Sequence, residues 1–143
     1  MMSRYLLLCA LAGVLVAVAH GGAFGRKQRI AVKGRLRCQS QPERAANVQI
    51  ALYDEDPGSD DLMAKTKSDA EGHFQVSGEE REISNIDPRL YIWHDCNDAH
   101  KPCQREWKMK IPDKYINHGV YEMGNVNLEM TLPDEGRDCT HGA

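Results

Sequence analysis

The 143-residue sequence has few aromatic residues and no block of basic residues. Phe, Trp and Tyr make up 6% of the chain, and the formal net charge is -3 at pH 7. Grooves that bind nucleic acid depend on Lys and Arg to neutralise phosphates, so this charge balance argues against nucleic acid as a partner. The length allows one domain of ordinary size with a thin hydrophobic core.

The chain also lacks the short motifs of common hydrolases and metal sites. There is no Gly-x-Ser-x-Gly turn to present a nucleophile, although Ser84, His94 and Asp95 supply the side-chain types of a triad. The acidic residues 54–61 offer oxygen ligands suited to calcium, but they lack the spacing of an EF-hand loop and are interpreted as a solvated turn. We therefore expect a protein that is not an enzyme, with no catalytic residue, no metal ion and no cofactor.

The first residues have the pattern of a secretory signal peptide. A short positive segment, residues 1–4, precedes an apolar run over residues 5–19 that is too short for a comfortable membrane span. Small residues allow cleavage after residue 19 or 23. We therefore predict a signal peptide over residues 1–23, a domain over residues 24–143, and a secreted, extracellular protein without a transmembrane segment after cleavage.

Removal of the signal peptide takes away Cys9 and leaves Cys38, Cys96, Cys103 and Cys139. An even number of cysteines in an oxidising compartment predicts two disulfides, with three possible pairings. The segment 94–103 adds two His and two Asp to its two Cys, which invites a zinc site. Six residues separate Cys96 from Cys103, however, and zinc ligands usually come in closer pairs. We favour a Cys96–Cys103 disulfide closing a small loop, which leaves Cys38 to pair with Cys139.

Alternation of apolar and polar residues predicts seven strands. The clearest example is the segment 30–38, in which Ile30, Val32, Leu36 and Cys38 occupy one face. Further strands are predicted over residues 48–53, 62–66 (weaker), 73–78, 90–94, 105–111 and 126–132, with one helical turn over residues 112–116. Strands at regular spacing with short turns predict an antiparallel β-sandwich without parallel crossover units.

Basic residues near Trp107 form a candidate binding surface. Lys101, Arg105, Lys108 and Lys110 offer cationic groups for an anionic lipid headgroup or an acidic partner, and Lys101, Lys108 and Lys110 are the candidate contacts. The alternation places Arg105 and Trp107 on the opposite strand face from Lys108 and Lys110. The alternative interpretation is therefore an ordinary strand exterior.

Several stretches together resemble the transthyretin-like family of secreted nematode proteins. They are residues 32–38 (VKGRLRC), 52–56 (LYDED), 68–74 (SDAEGHF), 85–88 (NIDP), 91–98 (YIWHDCND), 101–105 (KPCQR), 111–116 (IPDKYI) and 137–139 (RDC). The resemblance implies an all-β, transthyretin-type (immunoglobulin-like) antiparallel sandwich of seven to eight strands, secretion, and two disulfides among the four cysteines.

The resemblance also implies a role in extracellular binding. Roles suggested for family members include bridging phosphatidylserine exposed on dying cells to a receptor, and extracellular signalling. We expect a monomer or weak dimer that binds an anionic lipid surface or an extracellular receptor. A carrier of a small hydrophobic ligand is the alternative. A hydroxyisourate-hydrolase-type enzyme is disfavoured, because the chain ends in DCTHGA where such hydrolases end in a Tyr-Arg-Gly-Ser type tetrapeptide.

Overall fold

The computed structural model describes residues 25–141, which form two β-sheets with a shared core. The strands are β1 (Arg26–Arg37), β2 (Gln49–Glu55), β3 (Asp60–Lys67), β4 (His73–Glu82), β5 (Pro88–His94), β6 (Gln104–Lys110), β7 (Tyr121–Asn127) and β8 (Gly136–Asp138). Two short 3-10 helices, Pro42–Ala45 and Asp113–Tyr115, lie in the connections. The second helix confirms the helical turn predicted over residues 112–116.

The strands form a three-stranded sheet in the order β4-β1-β7 and a five-stranded sheet in the order β3-β2-β5-β6-β8. The predicted β-sandwich of seven to eight strands is confirmed. All pairs are antiparallel except β1 and β7, which run parallel. The expectation that all pairing is antiparallel is wrong here, because the chain leaves β6 in one sheet and crosses to the other before it forms β7.

The core between the sheets is built by the predicted alternation. Ile30, Val32 and Leu36 of β1 are fully buried, as are Leu90 and Ile92 of β5. Other buried members of this cluster are Cys38, Ala45, Val48, Ile50, Leu52, Phe74, Val76, Cys96, Trp107, Ile111 and Leu128. The interpretation of the strand patterns as half-buried strands therefore holds for most of the chain.

The predicted strand over residues 126–132 is displaced. The strand β7 ends at Asn127, whose side-chain Oδ1 accepts a hydrogen bond from the Glu129 backbone N–H at 3.0 Å and so forms a turn. A short local bond of this kind competes with continued strand pairing. The strand β8 is not predicted from the sequence, since its three residues carry no alternating pattern and pair only at the sheet edge with β6.

The disulfides join Cys38 to Cys96 and Cys103 to Cys139. All four cysteines are paired, but the predicted pairs Cys96–Cys103 and Cys38–Cys139 are wrong. Cys38 follows β1 and Cys96 follows β5, and both side chains point into the core, where their Cα atoms lie 5.9 Å apart. Cys103 precedes β6 at the edge where β8 pairs, next to Cys139. Cys96 is buried in the core and Cys103 lies half-buried at the sheet edge, so these two cysteines, which are close in sequence, belong to different disulfides.

The predicted signal peptide, residues 1–23, lies outside the described residues. Over residues 25–141, no helix is long and apolar enough to cross a membrane.

Candidate functional site

The outer face of the five-stranded sheet carries a second hydrophobic cluster, formed by Ala51, Tyr91 and Trp93 with Tyr53 packed against it. These side chains point away from the sandwich core because they alternate with core residues along β2 and β5. The rings of Tyr53 and Tyr91 have centroids 4.5 Å apart, and those of Tyr91 and Trp93 are 5.8 Å apart. We call Tyr53, Tyr91 and Trp93 the aromatic face.

Hydrogen bonds fix the rings of the aromatic face. The indole Nε1 of Trp93 donates to Oε2 of Glu106 at 2.8 Å, and the Tyr91 hydroxyl donates to a carboxylate oxygen of Asp60. Burial and the nearby Asp60 carboxylate raise the pKa of both Tyr91 and Tyr53 above that of a free tyrosine. Both phenols are therefore neutral at physiological pH. Trp93 and Tyr91 are only 2% and 7% exposed and Tyr53 is half-buried, so the aromatic face is a rigid, packed layer of uncharged rings.

The C-terminal segment covers one edge of the aromatic face. The imidazole of His141 stacks on the indole of Trp93, and its Nδ1 lies 2.7 Å from Oδ2 of Asp138. Hydrogen bonds from Thr140 lower the pKa of Asp138, so that carboxylate stays ionised. The disulfide from Cys103 to Cys139 ties this segment to the sheet.

A groove of about 430 Å³ lies beside the aromatic face, along β3. The strand register places Lys65 opposite Ala51 and Lys67 opposite Gln49, so both lysines share the outer side of the sheet. Both are exposed, and neither forms an ion pair within residues 25–141. Leu62, which is 50% exposed, lines the same groove together with Tyr53, Trp93 and His141. We call this feature the lysine groove.

The three lysines predicted to bind a partner do not form one cluster. Lys108 lies on the aromatic face, with Nζ 4.8 Å from the ring centroid of Tyr91 and 3.4 Å from Oε1 of Glu106. Lys110 lies within 4 Å of two acidic residues, with Nζ 3.7 Å from Asp87 and 3.8 Å from Asp113. Lys101 lies in the loop before β6, beyond the opposite end of that strand from Lys110.

Lys65 and Lys67 are not among the residues predicted from the sequence to bind a partner. Their spacing of two residues could have indicated a shared binding surface, because residues two apart lie on one face of a strand. The strand predicted weakly over residues 62–66 extends to Lys67 in the structure. The aromatic segment 90–94 was predicted as a strand. Its lack of alternation indicates that both faces of β5 are covered.

The His- and Cys-rich segment 94–103 is structural in the folded protein. Both of its thiols are in disulfides, so neither supplies a thiolate for catalysis or a metal. Burial and the nearby Arg105 lower the pKa of His94 to about 4, and its Nδ1 accepts a hydrogen bond from the Cys96 backbone N–H at 3.1 Å. Ser84 lies in the loop before β5 and His94 at the end of β5, so the suggested triad residues are not brought together.

A buried ion pair holds the loop between β7 and β8 on the sheet. The Arg105 guanidinium donates to the backbone oxygens of Cys96, Leu128 and Met130 and, at 2.8 Å, to Oε2 of Glu135. The same Glu135 oxygen accepts the indole N–H of Trp107 at 2.8 Å. Arg105 is therefore a structural residue that faces the core, and it is unavailable to a basic surface.

Comparisons with known proteins agree with this fold. The profile of the Transthyretin-like family (TTR-52) matches residues 33–112. Transthyretin-like protein 5 of Caenorhabditis elegans is 44% identical, with 98% of this chain and 100% of that protein covered. Transthyretin-like protein 33 of the same organism is 36% identical over 94% of this chain and 97% of its own length.

Among solved structures, a 9R-lipoxygenase from Cyanothece aligns with a TM-score of 0.45 at 16% identity, over 71% of this chain and 16% of that one. This chain therefore corresponds to a small part of the lipoxygenase, and the likeness carries no functional argument. The family profile, the near full-length similarity to two family members and the two-sheet fold with two disulfides lead to one conclusion. The chain belongs to the transthyretin-like family.

Proposed function

We propose that the protein is a secreted binding protein that docks on surfaces bearing anionic phospholipid headgroups, phosphatidylserine among them, through the lysine groove beside the aromatic face. The observation that carries the proposal is the pair Lys65 and Lys67. These two exposed ammonium groups have no ion-pair partner within residues 25–141, and they lie beside the rings of Tyr53 and Trp93.

The chemistry of the groove matches that of a membrane interface. Each lysine near an anionic bilayer contributes about 1 kcal/mol of attraction, which decays within a Debye length. Tyrosine prefers the headgroup level, where its ring meets both apolar and polar surroundings, and the half-buried Tyr53 lines the groove. Leu62 adds an exposed apolar side chain at the rim. Because Tyr91 and Trp93 are held by the sheet and by hydrogen bonds to Asp60 and Glu106, the layer behind the groove needs no reordering when a headgroup binds.

Of the three lysines predicted from the sequence, the proposal retains Lys108 as a contact at the edge of the aromatic face. Lys110 already lies near two carboxylates, and a phosphate or carboxylate of the headgroup would have to compete with them. Lys101 lies in a loop away from the lysine groove.

The alternative functions have weaker support. A carrier of a small hydrophobic ligand needs a concave apolar pocket. A groove of about 720 Å³ on the three-stranded sheet is lined instead by polar and charged residues, among them Arg35, His73 and Glu122. For an enzyme, the paired cysteines and the buried His94 supply no reactive thiolate and no accessible base.

Vesicle flotation tests the proposal. The oxidised protein is floated with phosphatidylcholine vesicles of graded phosphatidylserine content in physiological salt. We expect the floated fraction to rise with phosphatidylserine, and to rise less when phosphatidylglycerol replaces it if the serine headgroup is recognised. A protein that stays at the bottom of the gradient at every lipid composition would overturn lipid binding and shift attention to a protein receptor.

A further inference from the structure

Carboxylates gather at the end of the sandwich where β2, β3 and β4 meet. Asp54, Asp56 and Glu82 each offer an oxygen atom, and these atoms all lie within 4.8 Å of one another. Glu80 and Asp61 lie close enough to act on them: besides desolvation, which is the largest cause, repulsion among these carboxylates raises the pKa of Asp54, Asp56 and Glu82. We call these five residues the acidic cluster.

Strand alternation explains why the acidic cluster forms. Along β4 the core-facing positions run through Phe74 and Val76 and continue, past the end of the core, as Glu80 and Glu82. Along β2 the core-facing positions end at Asp54, after Ile50 and Leu52. The two sheets thus direct carboxylates toward each other across the end of the sandwich.

Asp54 is the unusual member of the cluster, because it is fully buried. Its Oδ1 accepts a hydrogen bond from the Asp87 backbone N–H at 2.7 Å, which fixes the carboxylate. Its Oδ2 is buried and receives no hydrogen bond from a donor within residues 25–141, while the side-chain carboxyl of Glu82 lies within hydrogen-bond reach of Asp54. A buried charged oxygen without a partner is costly, and such groups are normally paired or bound to a metal ion.

The acidic cluster has no basic partner within residues 25–141. The ion pairs there use other carboxylates. The nearby basic residues Arg89 and Lys110 lie on the outer face of the sheet, where they pair with Glu55, Asp87 and Asp113. Arg26 lies opposite Glu82 in the register of β1 and β4, and its guanidinium donates to Oδ1 of Asn85 at 2.9 Å. No arginine or lysine of the described chain forms an ion pair with the acidic cluster.

We propose that the acidic cluster binds a calcium ion, with Oδ2 of Asp54 and carboxylate oxygens of Asp56 and Glu82 as protein ligands. Calcium accepts six to eight oxygen ligands in flexible geometry, so water completes the shell. Magnesium demands a tighter octahedron, and zinc prefers nitrogen and sulfur ligands. Extracellular calcium sites typically bind at about 10⁻⁴ to 10⁻³ M, and we expect an affinity in that range.

The structure corrects in part the interpretation of residues 54–61 as a solvated turn, because Asp54 lies in β2 and Asp60 and Asp61 lie in β3. Asp54 belongs to β2 and is buried, and Glu82 comes from a strand of the other sheet. The spacing of residues along the chain therefore does not indicate these three ligands, because only the folding of the chain brings Glu82 close to Asp54 and Asp56.

Calcium binding is measured on the full, oxidised, chelator-treated protein without lipid, so its outcome is separate from that of the proposed membrane function. Isothermal titration calorimetry with CaCl₂ should show one site, and the thermal midpoint should rise with calcium and less with magnesium. Absence of both binding heat and a thermal shift at about 10 mM CaCl₂, tenfold above the weakest expected affinity, would overturn the proposal.

Substitutions of the proposed ligands test whether calcium binds at the acidic cluster. Asp56→Asn and Glu82→Gln change half-buried side chains and should each weaken calcium binding by about tenfold or more, since each removes a charged ligand. The control Glu43→Gln removes the same charge from an exposed position in the Pro42–Ala45 helix and should bind calcium like the parent protein. Equal binding by the parent and both cluster variants would place calcium elsewhere and contradict the assignment.

Discussion

The indole ring of Trp93 lies parallel to the imidazole of His141, with ring centroids 4.1 Å apart and ring planes 6° apart. The stack joins the C-terminal segment to the centre of the five-stranded sheet, and the Cys103–Cys139 disulfide holds the same segment two residues earlier. The disulfide pattern therefore bears directly on the surface that we propose for binding, because it sets where His141 lies.

Peptide mapping without reduction should recover the pairs Cys38–Cys96 and Cys103–Cys139. Trypsin alone is insufficient, because Lys101 is followed by Pro102 and the two cysteines of this segment stay on one peptide. Cleavage before Asp98 with an aspartate-directed protease separates them. A disulfide-linked peptide joining Cys96 to Cys103 would contradict the structure.

Burial of His94 predicts a loss of stability in mild acid. Its pKa is about 4 in the folded protein, against about 6.5 when unfolded. The unfolded chain therefore binds a proton first, and the free energy of unfolding falls as pH drops from about 6.5 to 4, by roughly 3 kcal/mol in total.

Denaturant unfolding at a series of pH values measures this loss, and the imidazole resonances report the titration directly. The variant His94→Asn keeps an acceptor for the Cys96 N–H and should show a smaller loss over the same interval. An imidazole at position 94 that titrates near 6.5 in the folded protein would rule out this explanation.

Arg105→Ala should destabilise the protein by about 3 to 5 kcal/mol, because it leaves the buried Glu135 carboxylate and three backbone oxygens without their donor. Urea unfolding measures the change. The control Lys33→Ala breaks the exposed pair with Glu122 and should cost at most about 1 kcal/mol. Equal effects of the two substitutions would show that the Arg105 network is not a buried anchor.

Leu62→Ser should weaken vesicle binding by about fivefold, since burying a half-exposed leucine in the interface contributes roughly 1 kcal/mol. Ile83→Ser is the matched control. Ile83 is 77% exposed and lies in the loop between β4 and β5, outside the lysine groove. If the two substitutions weaken binding equally, the apolar contact is not specific to the groove.

The sequence predicted well what depends on local alternation. The pattern in residues 30–38 placed Ile30, Val32 and Leu36 in the core, and the same reasoning located β1 to β6 and overlapped β7 at residues 126–127. The family resemblance added the sandwich and the presence of two disulfides. These features are encoded in short segments, because burial of alternate residues is what makes each segment a strand.

Features that depend on distant parts of the chain were missed. The pairing of Cys96 with Cys38 follows from both side chains facing the core, and proximity in sequence favoured Cys103 instead. The parallel pairing of β7 with β1 depends on the route of the connection between the sheets. Lys65 and Lys67 form a groove with Trp93 only because the register of β3, β2 and β5 brings them beside that residue.

The most direct test of the proposed binding surface compares two double variants in the same flotation assay. Lys65→Ser with Lys67→Ser removes two positive charges from the lysine groove, and Lys27→Ser with Lys33→Ser removes two from the opposite sheet. The account predicts that the first pair lowers the fraction bound to phosphatidylserine vesicles by about tenfold or more, as expected for losing about 2 kcal/mol, and that the second leaves it nearly unchanged. Equal binding by both double variants, or loss only in the second, would contradict the assignment of the lysine groove.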